Sequence, residues 1–207
     1  MSEPDTSDLI LDAAEELFAR QGFAATTVKQ IGAAAGVNPA LIHYYFGNKE
    51  GLYRALLGRL FGTIMERGGA RLAASPSPEA GLRAIVETQS ETMLAHPAFP
   101  RLLARELVDH GMSHASDQVA QLSTTLFQRL CDLIRGGQEA GIFRDDLDPR
   151  FAAVSVVSLI PYFHIARPVV AALLGSGPDG PTPDTARAYA RHAAEFALAA
   201  LAPPPKP

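Results

Sequence analysis

Two histidines, His110 and His114, stand four residues apart beside Glu106 and Asp109, a spacing that could hold a transition metal if one helix carried both. Gly111 lies between them and argues for a break, and the spacing fixes no third ligand, so solvated histidines and no metal are expected. The string Gly175-Ser176-Gly177-Pro178-Asp179-Gly180 spells G-x-G-x-x-G, the loop that cradles a dinucleotide phosphate. It follows a helical pattern and runs into Pro181, whereas a phosphate loop needs a strand before it and a helix N-terminus after it, so it reads as a linker. The single cysteine, Cys131, excludes an internal disulfide and a cysteine-built zinc cluster and fits a reducing compartment. No G-x-S-x-G, H-E-x-x-H or Walker string is present, so neither an enzyme nor a cofactor is expected. The remaining candidates are clustered: His43, Tyr44 and Tyr45, polar tips on flat rings, follow the small run Asn38-Pro39-Ala40.

A helical scaffold has to hold these groups. Of 207 residues, 47% are apolar and 19% charged, which places the chain with folded domains rather than disordered ones. The net charge of −4 excludes a general polycation but conceals an asymmetry. Between residues 20 and 59 the basic groups Arg20, Lys29, Lys49, Arg54 and Arg59 face only Glu50, while the other acids of this region lie at or before Glu16. The acidic, polar N-terminus lacks the basic flank and apolar run of a secretory signal, and a cytoplasmic protein is expected. Phe151 to Leu174 is apolar enough to need a membrane check. Arg167 interrupts it, and the uncharged stretch Phe151–Ala166 falls short of the roughly 20 residues a bilayer demands, so no membrane span is expected.

Helix signals run from end to end without sustained two-residue alternation, predicting an all-α chain of about nine helices. Ile10, Ala13, Ala14, Leu17 and Phe18 form one stripe, stopped by Gly22. Asn38-Pro39, Ser77-Pro78, Asp148-Pro149 and Thr182-Pro183 each pair a capping residue with a proline that presets the first helical turn. Longer helices are predicted from Asn48 to Ala74 and from Ser113 to Ala140, the second fraying or bending at Gly136-Gly137. Two more are predicted over Phe151–Leu174 and Asp184–Leu201, the last striped with Ala190, Ala193, Ala194, Ala197 and Leu201. Thr26 to Lys49 has the pattern of a helix-turn-helix. Thr26 or Thr27 caps a short helix, Gly36 breaks it, and Asn38-Pro39 starts another whose outward face is Pro39, Ala40, His43 and Tyr44. Small residues at the start of that face suit close approach to base edges in a DNA groove.

The run Phe18-Ala-Arg-Gln-Gly22-Phe-Ala-Ala-Thr26-Thr27-Val28-Lys-Gln-Ile31-Gly-Ala-Ala-Ala35-Gly36-Val37-Asn-Pro-Ala-Leu-Ile-His-Tyr44-Tyr45-Phe46-Gly-Asn-Lys49-Glu50-Gly-Leu52 strongly resembles the DNA-binding domain of the TetR (tetracycline repressor) family of bacterial regulators. The resemblance implies a DNA-binding domain over 1–50, a larger helical effector-binding and dimerisation domain over 51–202, and a disordered tail over 203–207. It implies that Thr27 caps the second helix and touches a phosphate, that Lys29 reaches DNA, and that Asn38, Pro39, Ala40 and His43 face bases. Tyr44 and Tyr45 match phosphate or sugar contacts, and Lys49 matches a basic residue that meets a phosphate at the start of the fourth helix. Two departures stand out. Most relatives carry tyrosine where this chain has His43, and many carry a basic residue near the start of the first helix where it has Asp5 and Asp8.

The same resemblance implies a ligand-responsive repressor, a homodimer through the last two helices, on a double-stranded palindromic operator. A small-molecule effector is expected among Phe61, Met65, Phe99, Leu103, Phe127, Leu130 and Phe163, with Arg105, Tyr162 or His164 as polar contacts. The competing reading is a helical small-molecule-binding protein or enzyme that keeps a vestigial helix-turn-helix.

Overall fold

The Asp5 carboxylate accepts the Ser7 amide at 3.2 Å and opens the first helix, α1 (Thr6–Ala25). Gly22, at φ +84°, kinks it at the residue where the sequence predicts a stop. The computed structural model describes residues 5–177 and 180–204, which divide into two compact units, 5–62 with 96–120 and 63–95 with 121–204. Pro178 and Asp179 of the glycine-rich linker, and residues 205–207 of the expected tail, lie outside the described residues.

In the first unit α1 packs against α2 (Val28–Ala35), α3 (Pro39–Phe46) and α6 (Phe99–His110), joined by the start of α4 (Lys49–Ala73). Helices of eight residues are unstable alone, so α2 and α3 depend on packing. Ile31 of α2 and Ile42 of α3 are fully buried with Ile10, Ala14 and Phe18 of α1 and Leu52 and Leu56 of α4. Each large aliphatic chain so buried contributes about 1.5–3 kcal/mol. The sequence pattern does not announce α6, because Ala98 at its N-cap makes no side-chain hydrogen bond.

In the second unit α5 (Pro78–Ala95), α8 (Gln128–Glu139), α9 (Pro149–Ile165) and α11 (Pro183–Leu201) pack together, with α10 (Arg167–Leu173) against α9. All four capping-residue–proline pairs start helices, with Asn38, Asp148 and Thr182 each accepting a first-turn amide and Ser77 accepting from Ala80. The alanine stripe of α11 is buried in this unit's own core.

Three expectations need correction. The helix predicted over Ser113–Ala140 becomes a 3₁₀ turn (Ser113–Ala115), α7 (Ser116–Leu122), a π turn (Ser123–Phe127) and α8. Thr125 Oγ1 donates to the Gln121 carbonyl at 2.6 Å inside the widened turn. Gly136 and Gly137 do not fray. A Cβ at 137 would overlap the Phe143 ring, so glycine there permits close packing, and the chain turns away after α8 at Gly141, φ +69°. The predicted Phe151–Leu174 helix breaks at Ala166 into α9 and α10, bent by 86°. Pro168, in the first turn of α10, has no N–H with which to continue the ladder. No single helix among the described residues is long and apolar enough to cross a membrane, although this bent pair passes by length and composition together. No strand occurs among the described residues.

Candidate nucleic-acid interface

Thr27, not Thr26, caps α2. Its hydroxyl accepts the Gln30 amide at 3.2 Å while the Gln30 side-chain oxygen accepts the Thr27 amide at 2.9 Å, a reciprocal box. Thr26 is buried, its hydroxyl donating to the Gly22 carbonyl at 2.7 Å. At the other end Gly36 takes the left-handed conformation, φ +69°, and its N–H returns to Ala33 and Gly32. A Cβ on Gly32 would sit 3.1 Å from both the Pro39 ring and the Val37 carbonyl, so the small residue there lets α2 and α3 approach.

Asn38 starts α3 by accepting the Ala40 amide at 2.9 Å. Along the helix Ile42 is buried, Pro39 is half-buried, and Asn38, Ala40, His43, Tyr44 and Tyr45 are exposed, Tyr44 by 80%. These residues make one solvent-facing surface with a capped N-terminus. His43 is oriented more tightly than its exposure suggests. Its Nδ1 lies 2.9 Å from the Gly47 carbonyl, and the Gly47 amide donates to the His43 carbonyl at 2.9 Å. A carbonyl oxygen only accepts, so Nδ1 carries the proton and Nε2 of the neutral ring is left as an acceptor. The Tyr44 and Tyr45 rings meet edge to face, 5.1 Å apart.

The basic residues are arranged differently from their sequence count. Lys29 and Arg20 are exposed. Arg59 is drawn to the acids of α1, 2.8 Å from Asp12 and 3.3 Å from the buried Glu15, and Arg54 pairs with Glu50 at 3.0 Å. Lys49 Nζ donates to the carbonyls of Phe23 at 2.8 Å, Thr26 at 2.9 Å and Ala24 at 3.4 Å, and lies 4.4 Å from the centre of the Phe23 ring. An ammonium has three N–H donors, and all three are directed at the end of α1. At the start of α4 the ammonium is thus tied to the end of α1.

A capped α2, a left-handed glycine turn and an exposed, capped α3 on one buried core form a helix-turn-helix. Residues 10–56 match the model of bacterial regulatory proteins of the tetR family, and residues 78–196 match the tetracyclin repressor-like C-terminal domain. The chain belongs to the TetR family. The HTH-type transcriptional repressor NicS of Pseudomonas putida is 30% identical over 170 residues, covering 82% of this chain and 80% of NicS. FadR from Bacillus subtilis, solved in complex with stearoyl-CoA, shares the fold at a TM-score of 0.74 and 18% identity, over 94% of this chain and 98% of that one. AibR, solved in complex with isovaleryl coenzyme A and operator DNA, superposes at a TM-score of 0.69 with 19% identity, over 97% and 100% of the two chains. This TetR-family protein is a DNA-binding transcriptional regulator and not an enzyme.

The regulator's candidate effector residues are divided between the two units. In the first unit Phe61 and Phe99 are buried, their rings edge to face at 5.8 Å, while Leu103 and Arg105 are half-buried there. In the second, Phe127 and Leu130 line a small cavity of about 20 Å³ with Ile64, Ile85, Leu126 and Val157. Phe163 instead stacks on Tyr189, 4.2 Å between ring centres. Tyr162 is exposed, Met65 half-buried, and the His164 imidazole is pushed below its usual range by burial and then by Arg167. Sequence reasoning missed Gln89 at this cavity. Its Nε2 donates to the Val157 carbonyl at 3.2 Å, and its Oε1 is buried without a hydrogen-bond partner.

A second cluster also departs from expectation. Glu106, His110 and His114 come together, with donor atoms within 4.8 Å of one another, so the histidines are not simply solvated. Glu106 is fully buried and accepts the His114 amide at 2.8 Å and its Nδ1–H at 3.1 Å. Burial, the Glu106 charge and a hydrogen bond to it hold the Tyr53 phenol above the usual tyrosine range.

Proposed function

We propose that this regulator is a ligand-responsive repressor that acts as a homodimer on a palindromic operator, α3 of each copy entering a major groove. The observation that carries the DNA reading is the exposed α3 face, where Asn38, Ala40, His43 and Tyr44 surround a capped helix start. Thr27 and Lys29, with Tyr44 and Tyr45, supply phosphate and sugar contacts, and Pro39, Ala40 and Asn38 approach base edges. With its Nδ1 proton given to Gly47, His43 offers Nε2 as an acceptor, which suits the exocyclic amine of adenine or cytosine in the major groove. Lys49 is a brace between α4 and α1 rather than a phosphate contact.

The dimer surface we favour is the outward side of the last helices. Phe151 and Val154 on α9, Val169 and Leu173 on α10, and Phe196 on α11 are exposed apolar residues there. An exposed apolar surface of this kind favours a second copy, and the two-fold symmetry of such a pair matches a palindrome. The effector we favour is a small molecule with an apolar acyl chain, and acyl-coenzyme A thioesters are the first class to test given the ligands bound by FadR and AibR. A cavity of about 20 Å³ holds little more than a water, so the effector has to open the core between Phe127, Leu130 and Val157, where Gln89 Oε1 can accept a hydrogen bond. A cytoplasmic bacterial protein fits this role.

The test is selection of bound sites from random duplex DNA, repeated with His43→Ala. Wild-type protein is expected to retain a palindrome, and the variant to lose base preference at one base pair of each half-site alone. A variant whose preference matches wild type at every position would overturn the His43 assignment.

A further inference from the structure

The end of α6 carries the geometry of a metal site. Glu106 and His110 are one helical turn apart on the same face. Gly111 and Met112 then take left-handed conformations, φ +56° and +66°, and their amides close onto the Glu106 carbonyl. This reversal folds the chain back, so that His114 reaches the carboxylate eight residues earlier. Positive φ at a non-glycine residue such as Met112 is a strained conformation, held here where it brings the two imidazoles together with ring centres 4.6 Å apart.

We propose that Glu106, His110 and His114 form a site for a divalent transition metal of the zinc class, with water in the fourth position. Two imidazoles and one carboxylate are a ligand set that zinc accepts with an open position. Bonds of 2.0–2.1 Å in tetrahedral geometry separate donors by roughly 3.3 Å. His114 Nδ1 and the Glu106 oxygen that faces it are already 3.1 Å apart, and the metal replaces the proton shared between them. His110, half-buried and so reachable from solvent, places a ring nitrogen within 4.8 Å of both other donors. The outer shell is in place: the His114 amide holds the other Glu106 oxygen at 2.8 Å, and the Tyr53 phenol donates to the same carboxylate. His114 also packs 5.1 Å from Phe23, whose carbonyl receives Lys49, so the site adjoins the helix-turn-helix.

The experiment uses untagged full-length protein, stripped with chelator and titrated with Co²⁺ in the absence of DNA. Visible d–d absorption is expected to saturate at one Co²⁺ per chain, to be displaced by Zn²⁺, and to accompany a chelator-reversible rise in melting temperature. His110→Ala is expected to weaken Zn²⁺ binding by about a hundredfold or more. It leaves the apo melting temperature in place, since the Glu106–His114 contact survives. His110→Gln, which keeps a polar side chain, serves as a second variant with the same expected loss, and His192→Ala is a control expected to bind as wild type. No saturable Co²⁺ spectrum at micromolar protein, or equal binding by wild type and both His110 variants, would overturn the proposal.

Discussion

Replacing Lys49 with methionine keeps the alkyl stem near the Phe23 ring and removes the donors that hold the end of α1. Two of the bonds, to Phe23 at 2.8 Å and Thr26 at 2.9 Å, are partly buried, and the third, to Ala24 at 3.4 Å, is long and exposed. A hydrogen bond to a charged group contributes about 1.5–3 kcal/mol net, and water reaching these half-exposed carbonyls recovers part of it. The loss from the two shorter bonds is therefore about 2 kcal/mol in total. For a chain of this size that corresponds to a fall in Tm of roughly 4–8 °C, readable by calorimetry or circular dichroism. Operator affinity is then measured across a salt series. Because Lys49 faces carbonyls and not the DNA side, the slope of log affinity against log salt is expected to match wild type even where affinity itself drops. A phosphate contact predicts the opposite pattern: an unchanged Tm and a slope shallower by about 0.9 per half-site. That result would refute the brace.

Gly51→Ala places a Cβ against the Phe46 carbonyl oxygen and is expected to cost about 1–3 kcal/mol by forcing α3 from α4, whereas Gly62→Ala, with open space around it, is expected to be neutral or mildly stabilising. Equal melting temperatures for the two variants would contradict the packing at that junction. The Arg150 side chain, and after it the Arg150 backbone amide, hold the Asp148 carboxyl at about 2, below its ordinary 3.8. A depressed folded pKa stabilises above the unfolded value and is lost as pH falls through the folded one, so the difference in Tm between wild type and Asp148→Asn should be full above pH 3.8 and vanish toward pH 2. A difference independent of pH would remove the Arg150 pairing as its cause. Phe151→Glu, at a residue 74% exposed, should leave the fold intact and convert a micromolar dimer to monomer in sedimentation, and an unchanged mass would exclude that surface. The His43→Ala selection described above completes the set.

Much of this protein was legible locally. Asn38-Pro39, Asp148-Pro149 and Thr182-Pro183 start helices because a capping side chain reaches an amide only two or three residues away, a contact that neighbouring residues settle. Gly36 ends α2 for the same kind of reason, since the left-handed conformation is cheap only without a Cβ. The outward face of α3 follows from helical period, and Ile42 lies on the opposite, buried side. What sequence order could not decide is the partner of any side chain reaching across the fold. Lys49 and Thr26 are 23 residues apart, and only the packing of α4 on the end of α1 brings the ammonium to that carbonyl. Arg59 and Glu15, 44 apart, cancel charge that a linear count assigns to the DNA side. Gly111 separates the two histidines along the chain, yet its left-handed turn is what returns His114 to Glu106, because a glycine that breaks a helix also redirects it.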